Sequence, residues 1–112
     1  MGTVVDATRE TFEELVSSGL VLVDVWAESC RPCVALAPRV REIAADHPHL
    51  AVVKLDASKA RRLCMAHQVR GLPTFLLFSG GAEMARITDP NLRPDQLDQW
   101  LAAELAQYRE EH

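Results

Sequence analysis

The spacing of apolar positions changes several times along the chain, and each change marks an element. Thr3-Val4-Val5 reads as a short strand. Phe12, Leu15 and Val16 recur at helical spacing, with Thr8 placed to cap that helix and Gly19 to stop it. Leu20 to Trp26 is apolar on both parities, the pattern of a strand covered on both faces. A longer helix is expected from about Cys30. Its inner positions are Cys33, Leu36, Ala37, Val40, Ile43 and Ala44, with Arg39, Arg41 and Glu42 turned outward. Pro38 lies inside it and should bend it, because proline removes a backbone donor and crowds the preceding turn.

Leu50 to Leu55 reads as a third strand and Ser58 to His67 as a short helix. Thr74 to Ser79 and Ala82 to Thr88 are strands joined by Gly80-Gly81, a two-residue hairpin signal. Pro94 suits the first position of a last helix, where Leu97, Trp100, Leu101, Leu105 and Tyr108 form one apolar stripe. The order β-α-β-α-β-α-β-β-α predicts an α/β fold. Early strands separated by helices pair in parallel, and the closing hairpin is antiparallel. The expected result is a mixed sheet of about five strands with about four helices on its two faces.

Composition narrows the class. The 112 residues suffice for one domain, expected to span 1–112, and leave no room for a second core. Hydrophobic residues at 48% and charged residues at 25% are globular values, which excludes disordered and low-complexity classes. Twelve Lys+Arg against 16 Asp+Glu give a net charge of −4, against a nucleic-acid partner. No apolar run approaches the roughly 18–20 residues of a membrane span. The start at Met1-Gly2-Thr3 lacks the basic and apolar regions of a signal peptide. Three cysteines are too few for a disulfide scaffold and fit a cytosolic protein with a reactive or metal-binding pair.

Cys30-Arg31-Pro32-Cys33 leaves a buried strand and opens a helix. The first turn of a helix offers free N–H groups and the positive end of the macrodipole, which stabilise a thiolate. Arg31 adds a cation, and Pro32 sits where its missing donor matters little. Two intervening residues let the sulfurs meet. A thiol–disulfide exchange site follows, with Cys30 attacking and Cys33 resolving the mixed disulfide. Asp24 is the lone charge in its strand. A carboxyl buried there favours its neutral form and could exchange a proton with the resolving thiol. Lys54, in the next strand, is either its partner through charge or water, or a solvated edge residue. Pro73 enters a strand at its first position, where proline is tolerated; the Leu72–Pro73 bond is either cis or an ordinary loop bond.

Trp26-Ala27-Glu28-Ser29-Cys30-Arg31-Pro32-Cys33, preceded by Val23-Asp24 and followed by Pro38, resembles the active-site segment of the thioredoxin family. Arg70-Gly71-Leu72-Pro73-Thr74 resembles that family's cis-proline loop, Lys54-Leu55 its strand lysine and Gly80-Gly81 its hairpin. The resemblance runs from about Val4 to Leu105 and implies a thioredoxin-like three-layer α/β/α fold. It implies a protein-disulfide reductase with Cys30 as nucleophile, Cys33 as resolving thiol and Asp24 as buried acid. Trp26, Arg31, Pro32 and Lys54 support them, and Gly71, Leu72, cis-Pro73 and Thr74 offer backbone to a substrate strand. No bound cofactor is implied beyond a redox-active Cys30–Cys33 disulfide. The implied partners are protein disulfides and a thioredoxin-reductase-type electron donor, with no nucleic acid and no membrane, for a cytoplasmic monomer.

Three departures bear on selectivity. Ser29 and Arg31 stand where the family usually has Trp and Gly, and Thr88-Asp89-Pro90-Asn91 replaces a loop that commonly holds glycine. Losing the aromatic removes apolar docking surface. Arg31 favours the thiolate and so an oxidase or isomerase bias, at about 1.4 kcal/mol or 30 mV per pKa unit. Two other readings compete. Cys30, Cys33, Cys64 and His67 form a formal three-cysteine, one-histidine zinc set. The same fold could also serve as a redox-silent binding module. Cys64 otherwise reads as a core residue, and His67, His47, His49 and His112 as surface or loop residues. Arg61-Arg62 reads as a solvated helix face. Glu28 reads as a water route to Asp24 or as surface.

Overall fold

A computed structural model describes residues 2–111; Met1 and His112 lie outside the described residues. The elements are β1 (Val4–Ala7), α1 (Phe12–Leu15), β2 (Leu20–Trp26), α2 (Arg31–Asp46), β3 (Leu50–Asp56), α3 (Arg61–Ala66), β4 (Thr74–Ser79), β5 (Ala82–Thr88) and α4 (Pro94–Glu111). The sheet order is β1-β3-β2-β4-β5. β1, β3 and β2 run parallel, and β4 and β5 are antiparallel additions, as the connections require.

β2 is the central strand, and Val21 through Val25 are all buried. Strand parity sends its side chains to opposite faces. Leu22 packs with Leu36, Val40 and Ile43 of α2 and Leu97, Leu101 and Leu105 of α4. Val21, Val23 and Val25 pack with Phe12 and Val16 near α1 and with Ala60 and Cys64 at α3. The result is three layers, with α2 and α4 on one face and α1 and α3 on the other. Gly80 and Gly81 carry φ of 58° and 88°, the left-handed pair that a two-residue hairpin of the type I′ class needs.

Several boundaries depart from the sequence pattern. β1 starts at Val4 and continues through Asp6 to Ala7, because its ladder with Val52–Leu55 needs only backbone groups, and an edge strand tolerates a polar residue. The regular turn of α1 begins at Phe12, with Thr11 rather than Thr8 at its N-cap position. Thr8 closes the turn ahead of it. Its Oγ1 accepts from the Thr11 N–H, and its own N–H donates to Thr11 Oγ1 at 2.9 Å. The segment read as one helix from Ser58 is two pieces, a 3-10 turn at Ala57–Lys59 and then α3, divided at buried Ala60. Asp56 caps the first piece by accepting from the Ser58 N–H and hydroxyl, which favours a separate short turn.

Arg39 is not simply outward. It donates to Asp98 of α4 at 2.7 Å and to Glu42 at 3.0 Å, tying the two helices of one face together. Trp100 and Tyr108 are half-buried flanks of the α4 stripe, whose buried line is Leu97, Leu101 and Leu105. Among the described residues, no helix is long and apolar enough to cross a membrane.

Arg86 of β5 holds the far end of α3. It donates to the carbonyls of His67 at 2.7 Å and Gln68 at 3.2 Å, while Glu83 neutralises it. Replacing it by Met keeps the apolar stem and frees those carbonyls. Arg86→Met is expected to lower stability by about 1–2 kcal/mol in urea denaturation. An unchanged midpoint would remove Arg86 from this role.

Candidate active site

Cys30 occupies the N-cap of α2, in extended geometry, directly after the turn that ends β2. Its N–H donates to the Ala27 carbonyl at 3.0 Å, and its carbonyl accepts the first bond of α2 from Val34. Its Sγ accepts from the Cys33 N–H at 3.2 Å, in the manner of a capping oxygen. Cys30 and Cys33 are joined as a disulfide, with Cα atoms 5.3 Å apart. Cys30 is half-buried and Cys33 buried, so the outer sulfur is the one an incoming group meets. Arg31 and Pro32 fill the first two helical positions, and the Arg31 side chain is exposed beside the sulfur.

Asp24 shares its strand face with Leu22, hence lies under α2. It is 2% exposed, and its Oδ1 has no hydrogen-bond partner among the described residues. Burial pushes its carboxyl up to about 7, and the charge of Lys54 opposes that rise without cancelling it. Lys54 faces Asp24 across the β2–β3 register. Its ammonium sits 4.2 Å from the centre of the Trp26 ring, a cation–π contact. Lys54 lies on an interior strand and is half-buried, and its charge acts on Asp24 without a salt bridge. On the other side, Asp6 of β1 is in register with Lys54, so two carboxylates flank one lysine across three strands. Asp6 was not singled out from the sequence, because parallel register joins residues far apart in the chain. Glu28 lines an open groove of about 510 Å³ with Trp26, Lys54, Asp56 and Asp6.

The Leu72–Pro73 bond is cis. Pro73 is buried, and Gly71 and Leu72 are half-buried. Phe75 packs on the α2 face, so Pro73, two residues earlier, has the same parity. The Thr74 hydroxyl donates to the Gly71 carbonyl at 2.6 Å and so accepts from the Thr88 hydroxyl at 2.7 Å. This relay pins the 71–74 turn to the end of β5. The Asp89 N–H reaches the Pro73 carbonyl at 3.4 Å, and its carboxylate accepts from the Asn91 N–H. The unusual loop is thereby closed by its own side chain. The Thr88 hydroxyl is a contact that sequence reasoning missed, with strand pairing of Thr74 and Thr88 as its only signal.

The formal zinc set does not assemble. Cys30 and Cys33 are bonded to each other, while Cys64 packs in the cluster on the opposite sheet face. Burial raises the Cys64 thiol above its ordinary range and keeps it protonated. His67 stacks edge-on against Phe12 and Phe78.

The comparisons agree with this geometry. A family model described as Thioredoxin matches residues 3–103. Thioredoxin C-3 of Corynebacterium nephridii is 35% identical over 105 residues, covering 92% of this chain and 72% of that protein. The thioredoxin of Peptoclostridium acidaminophilum is 35% identical over 99 residues, covering 88% of this chain and 90% of that one. A solved mutant thioredoxin from Halobacterium salinarum is similar at a TM-score of 0.80 and 27% identity, over 91% of this chain and 90% of that one.

The raised Asp24 value has a signed consequence for stability. Its folded value lies above the unfolded one, so the folded chain holds an extra proton between roughly pH 4 and 7, and stability falls as pH rises through that window. Asp24→Asn has no such slope. Denaturation of the oxidised parent and variant across pH should show their difference moving by about 4 kcal/mol in the variant's favour from pH 4 to pH 8. Parallel curves would mean that Asp24 titrates normally.

Proposed function

Because the chain belongs to the thioredoxin family and is a thiol–disulfide oxidoreductase, we propose that it reduces protein disulfides, with Cys30 as nucleophile and Cys33 as resolving thiol. The observation that carries this reading is the Cys30 sulfur at the N-cap of α2, receiving the Cys33 N–H and bonded to Cys33. In the reduced chain, the same N–H and the helix dipole favour the Cys30 thiolate. A redox-silent binding module has no use for the closed pair.

The cycle begins with Cys30 thiolate attacking one sulfur of a substrate disulfide. A Cys30–substrate bond forms, the substrate S–S bond breaks, and the first substrate thiolate leaves and takes a proton from water. The Asp24 carboxylate then accepts the Cys33 thiol proton. Cys33 thiolate attacks Cys30, the Cys30–substrate bond breaks, and the second substrate thiolate leaves and takes a proton from water, while Asp24 releases the Cys33 proton to solvent. Two electrons pass from the dithiol to the substrate, and the chain is left with its Cys30–Cys33 disulfide. A carboxyl with a value of about 7 suits this exchange, because both of its forms are populated near neutral pH.

Lys54 and Trp26 hold the charge environment of Asp24, while Arg31 and Pro32 shape the first turn beside the sulfurs. The backbone of Gly71, Leu72, Pro73 and Thr74 lies on a turn fixed by the Thr88 relay, and takes the substrate strand in β-fashion. The chemistry needs no bound cofactor, only a reductase-type electron donor to reopen the disulfide. Residues 1–112 act as a single domain, as a monomer in the cytoplasm, where thiols are kept reduced.

Cys33→Ser should trap covalent mixed disulfides at Cys30, visible by mass spectrometry; their absence would reverse or remove the assigned roles. Asp24→Asn should slow the resolving step by on the order of 10²-fold near pH 7 in single-turnover kinetics. An unaltered rate would take Asp24 out of the mechanism.

A further inference from the structure

The redox end of the molecule carries a charge feature that the thiol chemistry does not use. A groove of about 280 Å³ is lined by Arg9, Ser58, Lys59, Ala60, Arg61, Arg62 and Leu63. Four of the chain's 12 basic residues line it, and no carboxylate does, in a chain of net charge −4. Arg39, Arg86 and Arg93 each meet a carboxylate. By contrast, Lys59, Arg61 and Arg62 make no ion pair or side-chain hydrogen bond among the described residues, and Arg9 has only its exposed neighbour Glu10. Gathering unpaired like charges on one short stretch costs self-repulsion that an anionic partner would relieve. The groove is therefore complementary in charge to an anionic partner.

Its position links it to the dithiol. β2 and β3 are parallel, so both deliver their chains to the same edge of the sheet, with Trp26 opposite Asp56. Cys30 follows one strand end and Lys59 the other. The groove that contains Trp26 and Glu28 also contains Ser58 and Lys59, and so runs into the cationic groove. The molecule measures 36 × 29 × 24 Å. A segment within about ten residues of a substrate cysteine, spanning some 33–36 Å when extended, therefore reaches the groove from Cys30.

We propose that the groove of Arg9, Lys59, Arg61 and Arg62 docks an acidic segment of the protein whose disulfide is presented to Cys30. This rests on the thiol–disulfide reading above and names the substrate class it favours. A short acidic segment fits better than a nucleic acid. Glu10 and the carboxylates of Asp6, Glu28 and Asp56 border the cationic stretch, and a long polyanion would have to cross them. Docking of this kind acts on encounter and orientation, while the sulfur chemistry stays the same.

The test uses three disulfide-bonded peptides, identical except for a run of four glutamates, glutamines or lysines about eight residues from the cysteine. Single-turnover oxidation of the pre-reduced chain should be roughly tenfold faster with the glutamate peptide than with the glutamine peptide at low ionic strength. The preference should vanish in the Lys59→Glu, Arg61→Glu, Arg62→Glu variant and shrink at high salt. Hydroxyethyl disulfide should react equally with both proteins; its failure to react with the parent would sink the oxidoreductase reading instead. Fluorescence anisotropy of the glutamate peptide with serine in place of cysteine reads the docking without turnover. Equal binding of that peptide by parent and variant, or a preference that survives the substitutions, overturns the proposal. So does tighter binding of a single-stranded oligonucleotide than of the glutamate peptide to the parent.

Discussion

Burial of β2 on both faces is the constraint on which the rest depends. A strand flanked by β3 and β4, with α2 and α4 below and α1 and α3 above, has only its ends free. The next helix must begin just past one of them, and Cys30 is placed there by the chain's exit from the core. Four apolar side chains, Val21, Leu22, Val23 and Val25, hold β2 in place, each contributing roughly 1.5–3 kcal/mol on burial. Together they outweigh the cost of carrying Asp24 through the same core. A strand less completely covered would let Asp24 turn to solvent, and its carboxyl would titrate as an ordinary aspartate.

Two charges could have cancelled inside this fold and do not. Lys54 is in register with Asp24, yet its ammonium rests over the Trp26 ring, and no salt bridge forms. Burial therefore dominates the carboxyl, with the lysine as a moderating field. A direct buried pair would hold Asp24 as a carboxylate and remove the proton exchange proposed for it.

Elements whose pattern comes from local burial were legible in the sequence. β2, β4, β5 and the start of α4 fall where their apolar runs and turn residues put them. The same holds for the sulfur pair, the lone buried acid and the proline at a strand entrance. Each is anomalous within its own segment. What was not legible depends on partners distant in sequence. Arg39 looks outward on a helical wheel, and only α4, 59 residues on, turns it into a helix–helix tie. The split at Ala60 and the true length of β1 come from side-chain capping by Asp56 and from ladder register. The Thr88 relay needs the antiparallel pairing of β4 and β5 before Thr74 and Thr88 can be neighbours.

Arg31 and the backbone differ in how strongly they can act on the Cys30 sulfur. Its side chain is exposed at the surface of α2, where salt screens charge over about 8 Å at physiological ionic strength. The Cys33 N–H, in contrast, is fixed 3.2 Å from the Cys30 sulfur by the helix itself and cannot be screened away. On the proposed mechanism, the Cys33 N–H acts on the Cys30 thiolate at short range, and Arg31 adds a salt-dependent contribution. On the proposed mechanism, the first turn of α2 supplies reactivity, and selection must come from elsewhere. Ser29 offers no aromatic surface beside the sulfur, so on that reading discrimination among substrates falls to features further out.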